Sequence, residues 1–333
     1  MKFSWRGAIG LALTVLLLWW VFKDAHWAEM WAHLRGANIP LVILAVAVGT
    51  CMFPLRARRW RPILGSVAPN LPFDPLWRST AVGMMANNIL PARMGELVRA
   101  YMLTRLTPVP FSASFASLVV DRAFGAVIVL LLTVLAMFDP QFPAGVELAG
   151  RPAAHVAGTG LVLVVIVGLA LYAIVFFPVR LIRLYELFVR RVAPRFEERG
   201  RQMLKSFAEG LSVLRHPARF MSVVWWTLLH WLLQALAFYI MFKAVDIRAP
   251  FSAALFVQGV IVIGVSLPST PGYFGFFEAA AMVSLVMYGV SESLAVAWAL
   301  TYHILSLIPI TVIGLYYLAR SGMRLGELKQ IER

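Results

Sequence analysis

Long apolar runs constrain this chain more than any other feature. Segments 9–21, 41–53, 112–137, 157–177 and 221–241 approach or exceed the roughly 20 residues that cross a hydrocarbon layer as a helix. A water-packed core has no use for so much apolar surface: of 333 residues, 61% are hydrophobic and 14% charged. Soluble domains average roughly 45–50% and 25%, and the mean hydropathy is +0.79. The expected fold is therefore all-α, a polytopic membrane protein. Trp19, Trp20, Trp27, Trp31, Trp225, Trp226, Tyr316 and Tyr317 gather at run ends, where an amphipathic ring sits at headgroup level.

Charge sets the orientation. The formal net charge of +14 lies mainly in the links between runs, so its counterpart is anionic lipid rather than nucleic acid. The link from 178 to 219 carries Arg180, Arg183, Arg190, Arg191, Arg195, Arg199, Arg201, Lys205, Arg215 and Arg219. It is expected in the cytoplasm as an amphipathic surface segment, together with Lys2/Arg6, the Arg56/Arg58/Arg59/Arg61 cluster and the C-terminal tail. The first run lacks a small-residue cleavage site and reads as a retained span. Cys51 stands alone, which excludes an intramolecular disulfide, and is expected to be inert packing.

These assignments leave segments 73–106 and 251–288 each between links on one side of the membrane. Each is expected to be a re-entrant helical hairpin. Each also follows a Pro-Phe pair and contains a Leu-Pro break followed by glycine and glutamate. Within one transmembrane domain over 1–333, repeats 41–138 and 220–320 would then be inverted copies, an architecture recurrent among alternating-access transporters.

The breaks fall at Pro91 and Gly95, and at Pro268, Pro271, Gly272 and Gly275. Irregular backbone at membrane depth is tolerated where it lines a protein-walled cavity. Short helices starting after such breaks are expected to aim positive ends and free N–H groups at an anionic phosphate. Arg93, Glu96 and Arg99 recur three apart on one helix side, and a guanidinium grips phosphate with a planar fork. The competing reading is a salt-bridge cluster at the cytoplasmic interface. Asp121 and Arg122 lie deep in an apolar run, either facing a cavity or locking helices together. Glu278 reads as a cap or as a proton carrier.

His303 follows Glu278 much as Arg122 follows Glu96, which hints at a shared cavity. His230, Gln234 and Gln258 read as interhelical hydrogen-bonding residues or path lining. His26, Glu29 and His33 share a helix face without a further ligand, so no metal site is expected. Walker, GxSxG, HExxH and paired-cysteine motifs are absent, and no cofactor or enzymatic activity is expected.

Four elements carry a family resemblance. They are Arg58-Arg59-Trp60, then Asn88 to Ala100 with Leu90-Pro91-Ala92-Arg93-Met94-Gly95-Glu96, then Val120-Asp121-Arg122, then Pro268 to Ala280 with Pro271-Gly272-Tyr273-Phe274-Gly275-Phe276-Phe277-Glu278. Together they resemble the flippase-like membrane family named for the transmembrane region of lysylphosphatidylglycerol synthases, over roughly residues 10–320. The resemblance implies lipid translocation, since in the synthases this region moves an aminoacylated phospholipid between leaflets. The synthases' soluble aminoacyltransferase domain has no counterpart here, so lysyl-lipid synthesis is not expected, and some stand-alone members are associated with hopanoid biosynthesis.

The expected function is flipping of an anionic phospholipid or a polyprenyl- or hopanoid-type lipid in a bacterial cytoplasmic membrane, with both termini cytoplasmic. Arg93, Glu96, Arg99, Asp121, Arg122, Glu278 and His303 are the expected site, with the helix breakers around them. A non-transporting scaffold that presents lipid to a biosynthetic enzyme is the alternative, and a homo-oligomer is left open.

Overall fold

The computed structural model describes residues 5–23, 26–90, 94–148, 150–177, 215–266 and 271–323, with scattered positions between 179 and 201. Pro91, Arg93, Pro268 and most of the 178–219 link lie outside these residues. The fold is all-α apart from a two-residue antiparallel ladder, β1 (Glu147–Leu148) with β2 (Arg151–Pro152). The helices are α1 (Trp5–Phe22), α2 (Trp27–Arg35), α3 (Ile39–Ile63), α4 (Phe73–Ile89), α5 (Gly95–Leu106), α6 (Phe111–Met137) and α7 (Ala153–Phe176). After the basic link come α8 (Pro217–Ala244), α9 (Phe251–Gly264), α10 (Phe276–Met287) and α11 (Glu292–Arg320). Five of these, α3, α6, α7, α8 and α11, are long and apolar enough to cross a membrane. The chain is a multi-pass membrane protein.

Local chemistry explains the starts. Asn38 Oδ1 accepts from the Leu41 N–H at 3.2 Å to cap α3, and Ser291 Oγ accepts from Leu294 at 3.4 Å to cap α11. Pro72, Pro110 and Pro250 immediately precede α4, α6 and α9. Their fixed φ suits a helix entrance, where no N–H is needed.

Segments 73–106 and 251–288 each form two short α-helices rather than one long one. The helices α4 and α5 have 17 and 12 residues, and α9 and α10 have 14 and 12, short of the roughly 20 that span a bilayer. Each pair folds back on itself. A Cβ on Gly95 would lie 2.1 Å from the Gly83 carbonyl oxygen, and one on Gly83 would lie 2.7 Å from Arg99 Cβ. Backbones this close need glycine. In the second pair, a Cβ on Gly264 would meet Ala280 Cβ at 3.3 Å.

The contacts repeat between halves. α3 packs along α8, antiparallel, with the Asn38 N–H donating to the Ala244 carbonyl at 2.8 Å and His230 Nδ1 donating to the Met52 carbonyl at 3.2 Å. Beyond that pair, α4 packs on α5 as α9 does on α10, and α5 on α6 as α10 does on α11. Each hairpin also leans on the long helix of the other half, α4 on α11 and α9 on α6. Exchanging α3–α6 with α8–α11 leaves these pairings unchanged.

One expectation is corrected. Cys51 is exposed on α3 rather than packed inside, because the interior face of that helix is taken by Gly49, Met52 and Phe53. α3 continues through Ile63, so Arg56, Arg58, Arg59 and Arg61 all lie on it, and Arg59 is 2% exposed. A prediction follows from the glycine crossing. Gly95→Val should destabilise the protein by about 3 kcal/mol through overpacking, whereas Gly158→Val, with nothing within 4 Å of its Cβ, should not. Thermal unfolding in detergent micelles measures the difference.

Candidate functional site

The last turns of α3 carry Arg56, Arg59 and Trp60 toward the interior, against α5 and α6. Asp121 on α6 receives two of the surrounding arginines. Arg59 Nε donates to Oδ1 at 2.6 Å, and Arg99 Nη1 approaches Oδ2 at 3.5 Å. Arg99 is fully buried, with its guanidinium carbon 4.1 Å from the centre of the Trp60 ring. The Trp60 indole donates to Ser117 Oγ at 2.7 Å, which fixes that ring as a platform. Glu96, in the first turn of α5, bridges the other two arginines. Arg56 Nη2 donates to Oε1 at 3.1 Å, and Arg122 Nη2 donates to the same oxygen.

Arg56, Arg59, Arg99 and Arg122 thus surround two carboxylates and leave an excess of positive charge. Buried arginine nitrogens also remain without a partner among the described residues: Arg56 Nε, Arg59 Nη1 and Arg99 Nε. Uncompensated donors in low dielectric are costly. An anion that reached them would be strongly held.

A cavity of about 240 Å³ lies beside this cluster. Arg56 and Arg122 line it, and the Arg122 side chain is 45% exposed there. Its remaining walls come from both halves: Asn87 and Asn88 at the end of α4, Val265 and Ser266 after α9, Tyr273 in the second hairpin, and Gln234 and Tyr302. The end of α4 meets the Pro271–Tyr273 segment here, and a Cβ on Gly272 would lie 3.7 Å from the Asn88 carbonyl oxygen. Gly272 and Gly275 have φ of +70° and +85°, and Tyr273 between them has +63°. A bulky residue in the left-handed region is strained, and such strain concentrates at functional sites.

The sequence-predicted residues divide. Glu96 and Arg122 meet beside the cavity, whereas Arg99 and Asp121 form the wall behind it and do not line it. Glu278 and His303 pair with each other, Oε1 to Nδ1 at 2.6 Å, and both are buried away from the cavity lining. Glu278 Oε2 also accepts from the Gly275 N–H at 2.7 Å, so it caps α10. The expectation that free helix-start amides face the ligand is corrected at two of those positions. The Gly95 N–H is taken by Asn87 Oδ1 at 2.9 Å and the Gly275 N–H by Glu278, because an unbonded amide at membrane depth is expensive.

Arg56 and Arg59 stand beside the cavity although the sequence points to them only as part of a basic cluster. The three-residue spacing of Arg56 and Arg59, which sets both on one helix face, is the signal that could have found them. Gln234 Nε2 donates to Tyr302 Oη at 3.0 Å at the cavity edge. Gln258 is buried on α9 and lines no part of the cavity.

Residues 7–314 match the family described as the lysylphosphatidylglycerol synthase TM region. A UPF0104 membrane protein of Methanothermobacter thermautotrophicus is 25% identical, with 97% of each chain covered. A second UPF0104 membrane protein of that organism is 25% identical over 87% of this chain and 86% of its own length. The glycosyltransferase AglD of Haloferax volcanii is 33% identical over 43% of this chain, which spans only 21% of that protein. With its model matched along nearly the whole of the polytopic helical fold, the chain belongs to the family of the lysylphosphatidylglycerol synthase transmembrane region.

Proposed function

We propose that this protein moves an anionic lipid between the leaflets of a bacterial cytoplasmic membrane, binding its headgroup in the cavity between the two hairpins. The observation that carries this reading is the excess of arginine over carboxylate beside that cavity, with Arg56 and Arg122 lining it. A headgroup phosphate there accepts from both guanidinium forks and displaces Glu96, which occupies those donors otherwise. Asp121, Arg59 and Arg99 act behind the cavity as positioning residues that hold α3, α5 and α6 in register. Arg93, Pro91 and Pro268 remain part of the proposed site as expectations from the sequence.

The pairing of contacts between halves supports an inverted repeat with two re-entrant hairpins. Glu96 reaches forward to Arg122, 26 residues on, and Glu278 reaches forward to His303, 25 residues on. These are corresponding helices of the two halves. The antiparallel course of α3 and α8 is what an axis lying in the membrane plane requires. Rocking one half against the other would expose the cavity to each side in turn.

A second reading rests on the AglD match, where a region similar to part of this chain belongs to a protein named as a glycosyltransferase. In it, the cavity presents a lipid to a biosynthetic enzyme without flipping. Purified protein in liposomes with fluorescent anionic lipids separates the two. Accelerated leaflet exchange, measured by dithionite quenching, is expected; binding without exchange across a broad lipid panel selects the scaffold instead.

Two further outcomes test the residues. Arg56→Gln and Arg122→Gln should each weaken anionic-lipid binding by about tenfold, the worth of a charge-assisted hydrogen bond. Glu96→Gln should tighten it, and Arg190→Ala should leave it nearly unchanged; equal losses in all the arginine variants, measured by native mass spectrometry, would indicate generic surface electrostatics. Asp121→Asn should destabilise the fold by about 3–5 kcal/mol, because it leaves Arg59 and Arg99 buried without their counter-charge. The loss would appear as a lower unfolding temperature in micelles even without lipid.

A further inference from the structure

The seam between α3 and α11 has two faces. Inward, Gly49, Arg56 and Tyr302 line the polar cavity. Outward, Val46, Ala47 and Thr50 of α3 and Leu305, Ile308 and Pro309 of α11 line an apolar groove of about 580 Å³. Neighbouring residues such as Gly49 and Thr50, or Pro309 and Ile310, belong to opposite faces, so a wall one helix pair thick divides the two spaces.

That wall is built to close tightly and to bend. A Cβ on Gly49 would lie 2.5 Å from Tyr302 Oη, so the helices close there because position 49 has no side chain. Each helix also contains an internal proline, Pro54 in α3 and Pro309 in α11. Each proline removes the N–H that would bond the carbonyl four residues earlier. Those carbonyls belong to Thr50 and Leu305, both groove residues. Bending either helix at this level breaks no intrahelical bond at that step.

Resting on the headgroup reading above, we infer that the groove holds a hydrocarbon chain of the same lipid whose headgroup occupies the cavity, the two parts joined through the α3/α11 seam. The occupant is a lipid chain because the groove is apolar, lies on spanning helices, and backs directly onto an arginine-lined space. This defines the substrate as an anion bearing a long apolar chain and excludes a water-soluble anion. The seam becomes the lateral entrance, through which a headgroup passes while its chain never leaves hydrocarbon.

The test uses the full chain in phosphatidylcholine nanodiscs containing phosphatidylglycerol with a diazirine near one acyl terminus. Labelled positions are mapped by mass spectrometry. Label at 42–50 and 305–309 should exceed that on the exposed α7 residues Val162, Leu163, Ile166 and Leu169 by at least about tenfold. Unlabelled phosphatidylglycerol, but not added phosphatidylcholine, should suppress it. Ala47→Trp, at an exposed position where bulk does not disturb the core, should remove groove label and leave α7 label unchanged. Equal labelling of groove and α7, or groove label unaffected by Ala47→Trp, overturns the inference. Groove label that meets the tenfold criterion but persists fully in Arg56→Gln/Arg122→Gln supports the chain site and counts against the headgroup reading instead.

Discussion

Everything near the cavity depends on Asp121 holding Arg59 and Arg99 inside the helix bundle. In a low-dielectric interior an isolated guanidinium is not tolerated, and the carboxylate at 2.6 Å from Arg59 Nε makes its burial possible. Three helices converge on that point. α3 contributes Arg59, α5 contributes Arg99 and α6 contributes Asp121, with the Trp60 ring beneath Arg99. The network therefore aligns the elements that carry Arg56, Glu96 and Arg122 to the cavity.

Around this centre the two halves play unequal chemical parts on similar scaffolds. Corresponding helices make corresponding contacts, yet the acid of the first hairpin meets an arginine and that of the second meets a histidine. His303 lies against the rings of Phe274 and Phe277, with centroids at 4.8 and 4.2 Å, and Glu278 is spent on capping α10. The first half supplies the charge and the second half supplies an uncharged counterwall. Aromatic stacking of Trp298 and Tyr302 at 5.8 Å, with Phe238 edge-on to both, stiffens that wall.

Much of this was legible in the residues. Apolar runs located α1, α3, α6, α7 and α8, and the proline and glycine breaks marked 73–106 and 251–288, each of which forms two short α-helices. Glu96, Arg122 and the helix breakers stand out in the sequence because charge and proline are improbable at membrane depth without a purpose. The burial of Arg56 and Arg59 is not legible, since an arginine near a span end looks the same whether it faces headgroups or an interior neighbour. Cys51 was misplaced for the same reason: a helix apolar on all sides does not reveal its lipid face.

By itself, then, the amino-acid sequence determined the solvent of this protein, its helical class, the breaks in two helix pairs and its family, because hydrocarbon tolerates only internally bonded backbone. Tertiary structure alone decided which arginines are neutralised and which line open space. That choice rests on distances of a few ångströms between α3, α5 and α6, residues far apart along the chain, and no local spacing encodes them.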